Sequence, residues 1–273
     1  MQLEDLIKKR RESHHARDQV SKLLQTIRRL DANRPGNINR LLTTAGEARG
    51  QLDPKDATDI DALEWLQGYI KELETARDER QHSFGLDLAA RLNEMGWKLR
   101  GQYPRLTAGL FTFVLDFERD RCRIWYGPEQ ELLDDCVLDA ERVASAARQH
   151  RDRLGSGLEP SVFLSTLQRA YRCAQLEHTV ALVPLPRLLP LLALDVQSPK
   201  FKGDPRKEYY EQYTRADFSY DLYQLSKTTS AAHLTIATRM QTNRRSDFLW
   251  VPTREDVESG NYFASIELKE GKP

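Results

Sequence analysis

Acidic residues and a lysine near the end of the sequence could assemble the site of a metal-dependent nuclease. Glu267 and Lys269 lie two positions apart on a predicted strand, and Asp247 or Asp256 precedes them. Mg²⁺ prefers carboxylate ligands, and a metal-bound water is a strong nucleophile. Only four residues follow Lys269, however, so we expect little structure to support such a site. A nuclease, or another hydrolase with a site assembled from scattered residues, is therefore the alternative and not the main prediction.

The sequence lacks the motifs of the better-defined catalytic and metal sites. Its six histidines form no His-x-x-x-His pair, and its three cysteines form no Cys-x-x-Cys pair. The phosphate-binding motif Gly-x-x-x-x-Gly-Lys, the dinucleotide motif Gly-x-Gly-x-x-Gly and the nucleophile motif Gly-x-Ser-x-Gly do not occur. Asp116 and Glu118 are close in sequence, but the arginines beside them favour a solvated hairpin edge. We therefore predict no catalytic residue, no metal and no cofactor.

Basic residues in the last third of the chain could bind the phosphates of DNA or RNA. Residues 199–245 hold nine basic and five acidic side chains, although the whole chain has a net charge of zero. Binding to a polyanion would therefore have to be local. The predicted nucleic-acid-binding residues are Lys200, Lys202, Arg206, Lys207, Arg215, Arg239, Arg244 and Arg245.

The order of elements predicted over residues 205–251 is typical of a winged helix. The first helix starts at Asp204 and carries several tyrosines, and the second covers Thr214–Ser226. Two strands joined by a basic turn follow, and they would place Arg239, Arg244 and Arg245 on the wing. Asp217 and Asp221 on the second helix would repel phosphates. A plain structural subdomain and a protein-binding surface therefore remain open as alternatives.

A long amphipathic segment organises the first third of the chain. Asp53 and Pro54 predict its start, and apolar residues then recur at steps of three and four as far as Arg100. This spacing places them on one face of a helix. A polar run over residues 77–83, followed by Gly85, predicts a tip, kink or break near residues 81–85.

A second helix predicted over residues 3–30 could pair with this segment. Residues 1–50 carry a net charge of +5, and residues 51–100 carry a net charge of −4. Opposite charges on consecutive helices are one way in which an antiparallel pair fixes its register. We predict a coiled-coil-like helical arm or bundle over residues 1–96. It would dock a protein partner or a second copy of the chain through Ile60, Leu63, Leu66, Ile70 and Leu73.

The remaining sequence predicts a mixed α/β body, so that the fold class is α+β. Within residues 97–200, alternating apolar positions predict an antiparallel hairpin over residues 110–126. Packing helices are predicted over residues 139–154 and 160–176, and residues 185–196 are apolar enough to be the most buried element. Residues 201–273 should form the basic, aromatic helix pair and a three-stranded antiparallel sheet.

Composition favours an intracellular protein without a membrane segment. Charged residues make up 30% of the 273 positions, and the mean hydropathy is −0.64. The acidic start of the chain does not resemble a signal peptide, and the apolar stretch 180–196 is interrupted by prolines and is too short to span a bilayer. We predict a non-catalytic subunit of a cytoplasmic complex that binds a protein and DNA or RNA, or else a purely structural interaction protein.

Overall fold

The computed structural model describes residues 18–56, 59–177 and 182–268, which form two compact units. One unit is helical and comprises the described residues up to Asp87 together with Asp116–Arg121. The other comprises Leu88–Leu115 and the described residues from Cys122 onwards. Helices combine with antiparallel sheets, in agreement with the α+β class that the sequence predicts.

The helical unit packs three helices around one apolar core. The described part of α1 covers residues 18–31, and α2 (Arg34–Gly50) and α3 (Ile60–Asn93) follow. Residues 3–17 of the predicted first helix lie outside the described residues. Side chains from all three helices meet in the core, among them Ile27, Leu30, Leu41, Ala45, Leu66 and Leu73.

A polar contact holds the corner between α1 and α2 against α3. The Asp31 carboxylate accepts hydrogen bonds from Arg34 Nε at 2.7 Å and from the Tyr69 hydroxyl at 2.8 Å. The bond from Arg34 is the main cause of a lowered pKa for Asp31, whereas burial raises the pKa of Tyr69 to about 12. Asp31 therefore favours its ionised form and links α1 to both α2 and α3.

Helix α3 is continuous, so the predicted break near residues 81–85 is wrong. Its polar run consists largely of Glu, Arg and Gln, which favour helix on their own. Contacts within the helical unit also support it, because Phe84 packs edge-on against Phe117 and Arg80 pairs with Asp120 at 2.5 Å. The start of the helix was also predicted too early: α3 begins at Ile60, and Asp53 instead caps a turn by accepting a hydrogen bond from the Lys55 amide.

If Leu73 belongs to this internal core, its truncation should destabilise the helical unit. We expect Leu73→Ala to lower the free energy of unfolding by roughly 2–5 kcal/mol, because the side chain is fully buried. Leu86, which is 58% exposed on the same helix, provides the matched control. Denaturant unfolding followed by circular dichroism measures both variants, and equal losses for Leu73→Ala and Leu86→Ala would contradict the packing.

The first sheet is a five-stranded meander in sequence order. Its third and fourth strands form the predicted hairpin, and the helix that follows the sheet is capped as predicted, because Asp139 accepts a hydrogen bond from the Arg142 amide at 2.9 Å. The elements are β1 (Arg100–Gln102), β2 (Arg105–Ala108), β3 (Phe111–Asp116), β4 (Arg121–Tyr126), β5 (Glu131–Val137) and α4 (Ala140–Arg153).

The second sheet is built around one long strand. Strand β9 pairs antiparallel with three other strands, and the helices pack against this sheet around an apolar core. The elements are α5 (Pro160–Glu177), β6 (Val183–Pro184), α6 (Leu185–Asp195), α7 (Pro199–Gly203), α8 (Arg215–Ser226), β7 (Ala232–Ile236), β8 (Leu249–Pro252) and β9 (Gly260–Leu268).

The strand pairing differs from the predicted winged helix. Phe263 of β9 is in register with Ile236 of β7 and with Leu249 of β8, so these two strands lie on opposite sides of β9. The segment between them, residues 237–248, therefore crosses from one edge of β9 to the other and does not turn back as a wing. A paired hairpin is excluded because β9 occupies the position between its two strands.

The first helix of the predicted pair is also absent from residues 204–213. Only one turn of 3-10 helix forms, at Lys207–Tyr209. The Gln197 side chain explains the extended backbone that follows, since its amide donates to the Glu211 carbonyl and accepts from the Glu211 amide, both at 2.8 Å. The second helix, α8, forms as predicted with a Thr214–Asp217 capping box.

Trp250 joins the two sheets of the α/β unit. Its ring packs edge-on against Tyr126, and its carbonyl accepts a hydrogen bond from Ser219 Oγ at 2.5 Å. The ring is 1% exposed and lies against the backbone of Gly127 and Gly260. A side chain on either glycine would occupy the space that the indole fills.

A methyl group at position 260 tests this packing. A Cβ atom there would lie 2.3 Å from the Trp250 ring, so Gly260→Ala should lower the free energy of unfolding by roughly 1–3 kcal/mol. Gly203 has open space around it, and Gly203→Ala is the control that should cost nothing. The account of Trp250 fails if chemical denaturation finds both variants as stable as the wild type.

A buried carboxylate ties α8 to the loop after α4. Asp221 accepts hydrogen bonds from the Ser156 amide at 3.0 and 3.1 Å and from the Tyr213 hydroxyl at 2.9 Å. Burial raises the pKa of Asp221 to about 6, and the nearby Asp217 adds to the shift. The folded protein therefore binds a proton at Asp221 more tightly than the unfolded chain does.

This raised pKa predicts a pH dependence of stability. The stabilisation that the protonated Asp221 gives to the folded state is fully present below the ordinary pKa of 3.8, and it is lost as the pH rises through about 6. When the pH is lowered from about 7 to about 5, the free energy of unfolding of the wild type should rise by roughly 1 kcal/mol relative to that of Asp221→Asn. Unfolding free energies of both proteins across this range measure the difference, and parallel curves would show that Asp221 has no raised pKa.

Candidate anion-binding site

A cavity of about 340 Å³ in the α/β unit brings together basic residues from remote parts of the chain. It lies at the start of α8, beside the loop after β4 and the segment that leads into β8. Its walls also contain Pro128 and Thr242. The side chains that give it chemical character are Arg105, Glu129, Gln130, Arg215, Arg245, Phe248 and Tyr262.

The orientation of the Gln130 amide is fixed by the backbone of β8. Gln130 Oε1 accepts a hydrogen bond from the Trp250 amide, so the opposite end of the side chain must be Nε2. Gln130 is 7% exposed, and its Nε2 has no hydrogen-bond partner among the described residues. A residue that carries a buried N–H donor without a partner thus lines the cavity.

Arg215 is positioned by the first turn of α8. Its Nη2 donates to the Phe248 carbonyl, and its guanidinium lies 6.0 Å from the centre of the Phe248 ring. Burial lowers the pKa of Arg215 from its ordinary value; the Glu131 carboxylate opposes this shift, and the nearby Arg245 adds to it. The charge of Arg215 is therefore only partly compensated.

Two buried donors without a hydrogen-bond partner belong to residues that line this cavity. Within the part of the chain that the structure describes, Gln130 Nε2, Arg215 Nε and Trp125 Nε1 are buried and make no hydrogen bond, but Trp125 does not line the cavity. Each such group costs about 1–3 kcal/mol. Glu129 Oε1 also makes no hydrogen bond, but it forms an ion pair with Arg105. The unmet need is therefore for an acceptor.

The local charge is positive. Arg245 donates from Nη2 to the Glu129 carbonyl at 3.1 Å and lies 5.8 Å from the centre of the Trp125 ring. The Glu129 carboxylate is engaged by Arg105. The Glu131 carboxylate is near enough to act on the charge of Arg215, although its Oε2 also accepts a hydrogen bond from the Ala216 amide at the start of α8 at 2.8 Å. Arg215 and Arg245 therefore offer two guanidinium groups to an anion with acceptor oxygens.

The other predicted nucleic-acid-binding residues lie elsewhere. The Lys200 ammonium lies 3.8 Å from the centre of the Tyr209 ring, Lys202 Nζ donates to the Asp195 carbonyl at 2.6 Å, and Arg206 pairs with Asp204 at 2.7 Å. Lys207 is exposed in the same region, and Arg239 and Arg244 are exposed on the segment that joins β7 to β8. Of the eight residues, the structure brings Arg215 and Arg245 together at the cavity.

The predicted partner-binding residues are largely covered by the chain itself. Leu66 and Leu73 are fully buried in the core of the helical unit, and Ile70 packs against that core. Leu63 is half-buried, and Ile60 is 49% exposed. The apolar stripe that the sequence predicted to meet a partner therefore meets α1 and α2, because a short bundle must bury the seam of each helix.

The residues considered for a nuclease have other roles. Asp256 accepts a hydrogen bond from Arg100 at 2.7 Å, and the Asp247 carboxylate accepts one from the preceding serine at 2.6 Å. Glu267 lies on β9, and Lys269 falls outside the described residues. Across residues 18–56, 59–177 and 182–268, no group of three or more His, Cys, Asp or Glu side chains is placed to hold a metal ion.

Sequence reasoning missed Arg105, Gln130 and Tyr262. They come from β2, from the loop after β4 and from β9, and each is an ordinary residue in its local context. A buried glutamine in a loop has no signature in a single sequence. The tertiary fold alone places the three residues around one cavity.

No protein-family model, curated protein or solved structure matches the chain. Among the residues that the structure describes, no helix combines the length and the apolar character needed to cross a bilayer. The function must therefore be inferred from the chemistry of the site.

Proposed function

We propose that this protein is a non-catalytic binding subunit that recognises the phosphate groups of DNA or RNA at the arginine-lined cavity. The cluster of buried donors without an acceptor, next to Arg215 and Arg245, carries the proposal. A phosphate group supplies several acceptor oxygens and a negative charge. It can therefore meet the needs of the guanidinium groups and of the Gln130 amide at the same time.

The position of the cavity favours a specific contact over general attraction. The whole chain carries no net charge, so long-range attraction to a polyanion is weak. Arg215 is partly buried, and a charge-assisted hydrogen bond there is stronger than one in water. Affinity should consequently depend on a few residues at the cavity and not on the number of basic residues at the surface.

Two adjacent arginines provide a matched test. Both side chains are exposed, but Arg245 lines the cavity and the neighbouring Arg244 does not. We expect Arg245→Ala to weaken binding to a short oligonucleotide by about 10- to 100-fold, the value of one charge-assisted hydrogen bond. It should also reduce the slope of log affinity against log salt by about one. Fluorescence anisotropy at several salt concentrations measures both quantities.

The controls separate the cavity from the remaining basic surface. Arg244→Ala removes the same charge one residue away, and Lys202→Ala removes a lysine whose ammonium already binds a carbonyl group. Both variants should change the affinity by less than about threefold. Equal losses for Arg244→Ala and Arg245→Ala, or no binding by the wild type, would contradict the proposed function.

A further inference from the structure

The cavity at Arg215 differs from the larger cavities of the α/β unit in having unsatisfied groups. In a cavity of about 520 Å³ beside Arg151, by comparison, the arginine has its partners within the fold. There, Arg151 Nε donates to Glu255 at 2.6 Å and its Nη1 donates to the Tyr220 hydroxyl at 2.9 Å. Arg151 is thus already neutralised within the fold, whereas Arg215 and Gln130 keep donors that need a ligand.

We infer that the cavity at Arg215 binds one unstacked nucleotide, with the phosphate at Arg215, Arg245 and Gln130 and the base against the ring of Tyr262. This inference rests on the proposed function and names its ligand class. The shared chemistry is a phosphate joined to a planar aromatic ring. Its source is a nucleotide within a single strand or a free mononucleotide.

The depth of the donors favours a single nucleotide over a duplex. Gln130 is 7% exposed and its free N–H is buried, so an acceptor must enter the recess to reach it. The volume of about 340 Å³ falls within the range of small-molecule pockets. A double helix keeps its bases stacked inside and its backbone on a broad convex surface. A single nucleotide has the size and the freedom to enter.

An aromatic wall provides a surface for the base. Tyr262 stands edge-on against Phe248, with the ring centres 5.0 Å apart and the planes at 89°, which fixes the orientation of the Tyr262 ring. Tyr262 lines the cavity and remains 37% exposed, so part of its ring is available. Bases stack on such rings without regard to sequence.

The experiment compares ligands and variants in the full chain. Fluorescence anisotropy would measure a labelled single strand and the duplex of the same sequence at one salt concentration, with adenosine monophosphate and inorganic phosphate as competitors. The single strand should bind at least about tenfold more tightly than the duplex. Tyr262→Leu should weaken single-strand binding by about 5- to 150-fold, the effect of one lost stacking contact. Tyr262→Phe should retain the affinity, because the ring is kept.

Tyr210→Leu is the matched control, since this tyrosine is 41% exposed, packs on Phe201 and does not line the cavity. Equal affinity for single strand and duplex, or equal losses for Tyr262→Leu and Tyr210→Leu, would overturn the inference. In that case a specific loss of binding in Arg245→Ala would still support the proposed function. Binding of the mononucleotide without binding of either polymer would support the pocket and contradict the proposed function. Competition by inorganic phosphate as strong as that by the mononucleotide would show that the base contributes nothing.

Discussion

The α/β unit depends on the close contact between the Trp250 indole and two glycine backbones. The ring fills the space beside Gly127 and Gly260, where no Cβ can be accommodated. It also packs on Tyr126. Since Tyr126 ends a strand of the first sheet and Gly260 begins the long strand of the second, one buried side chain sets the spacing of both sheets. Close packing of this kind transmits position with little freedom.

The same residue connects the fold to the candidate site. The Trp250 amide binds Gln130 Oε1 and thereby fixes which end of the glutamine is free, while its carbonyl binds Ser219 on α8, the helix that begins with Arg215. The cavity is thus assembled by backbone hydrogen bonds that packing enforces. Its unsatisfied donors reduce the stability of the fold, and a ligand that supplied acceptors would recover that energy. This arrangement is expected of a site that is preorganised for an anion.

Local signals predicted local structure well and long-range structure poorly. The hairpin over residues 110–126 and the cap at Asp139 follow from alternation and side-chain chemistry, which operate over a few residues. Part of the support for α3 near the predicted break comes from Phe117, some thirty positions away from Phe84, and the position of β7 opposite β8 depends on a strand that comes later in the chain. Periodicity within one segment carries no information about such partners.

The candidate site could also be predicted only in part from the sequence. Arg215 and Arg245 are identifiable from their charge, but only the fold separates Arg245 from Arg244.

The proposed anion site is tested most directly by NMR, by following the side-chain N–H resonances of Gln130 and Arg215 during titration with a short single strand. We expect both to shift downfield along one saturation curve, because they gain acceptors in one event. Resonances of Gln130 and Arg215 that stay unchanged while the oligonucleotide saturates the protein would contradict the claim that their donors await an anion.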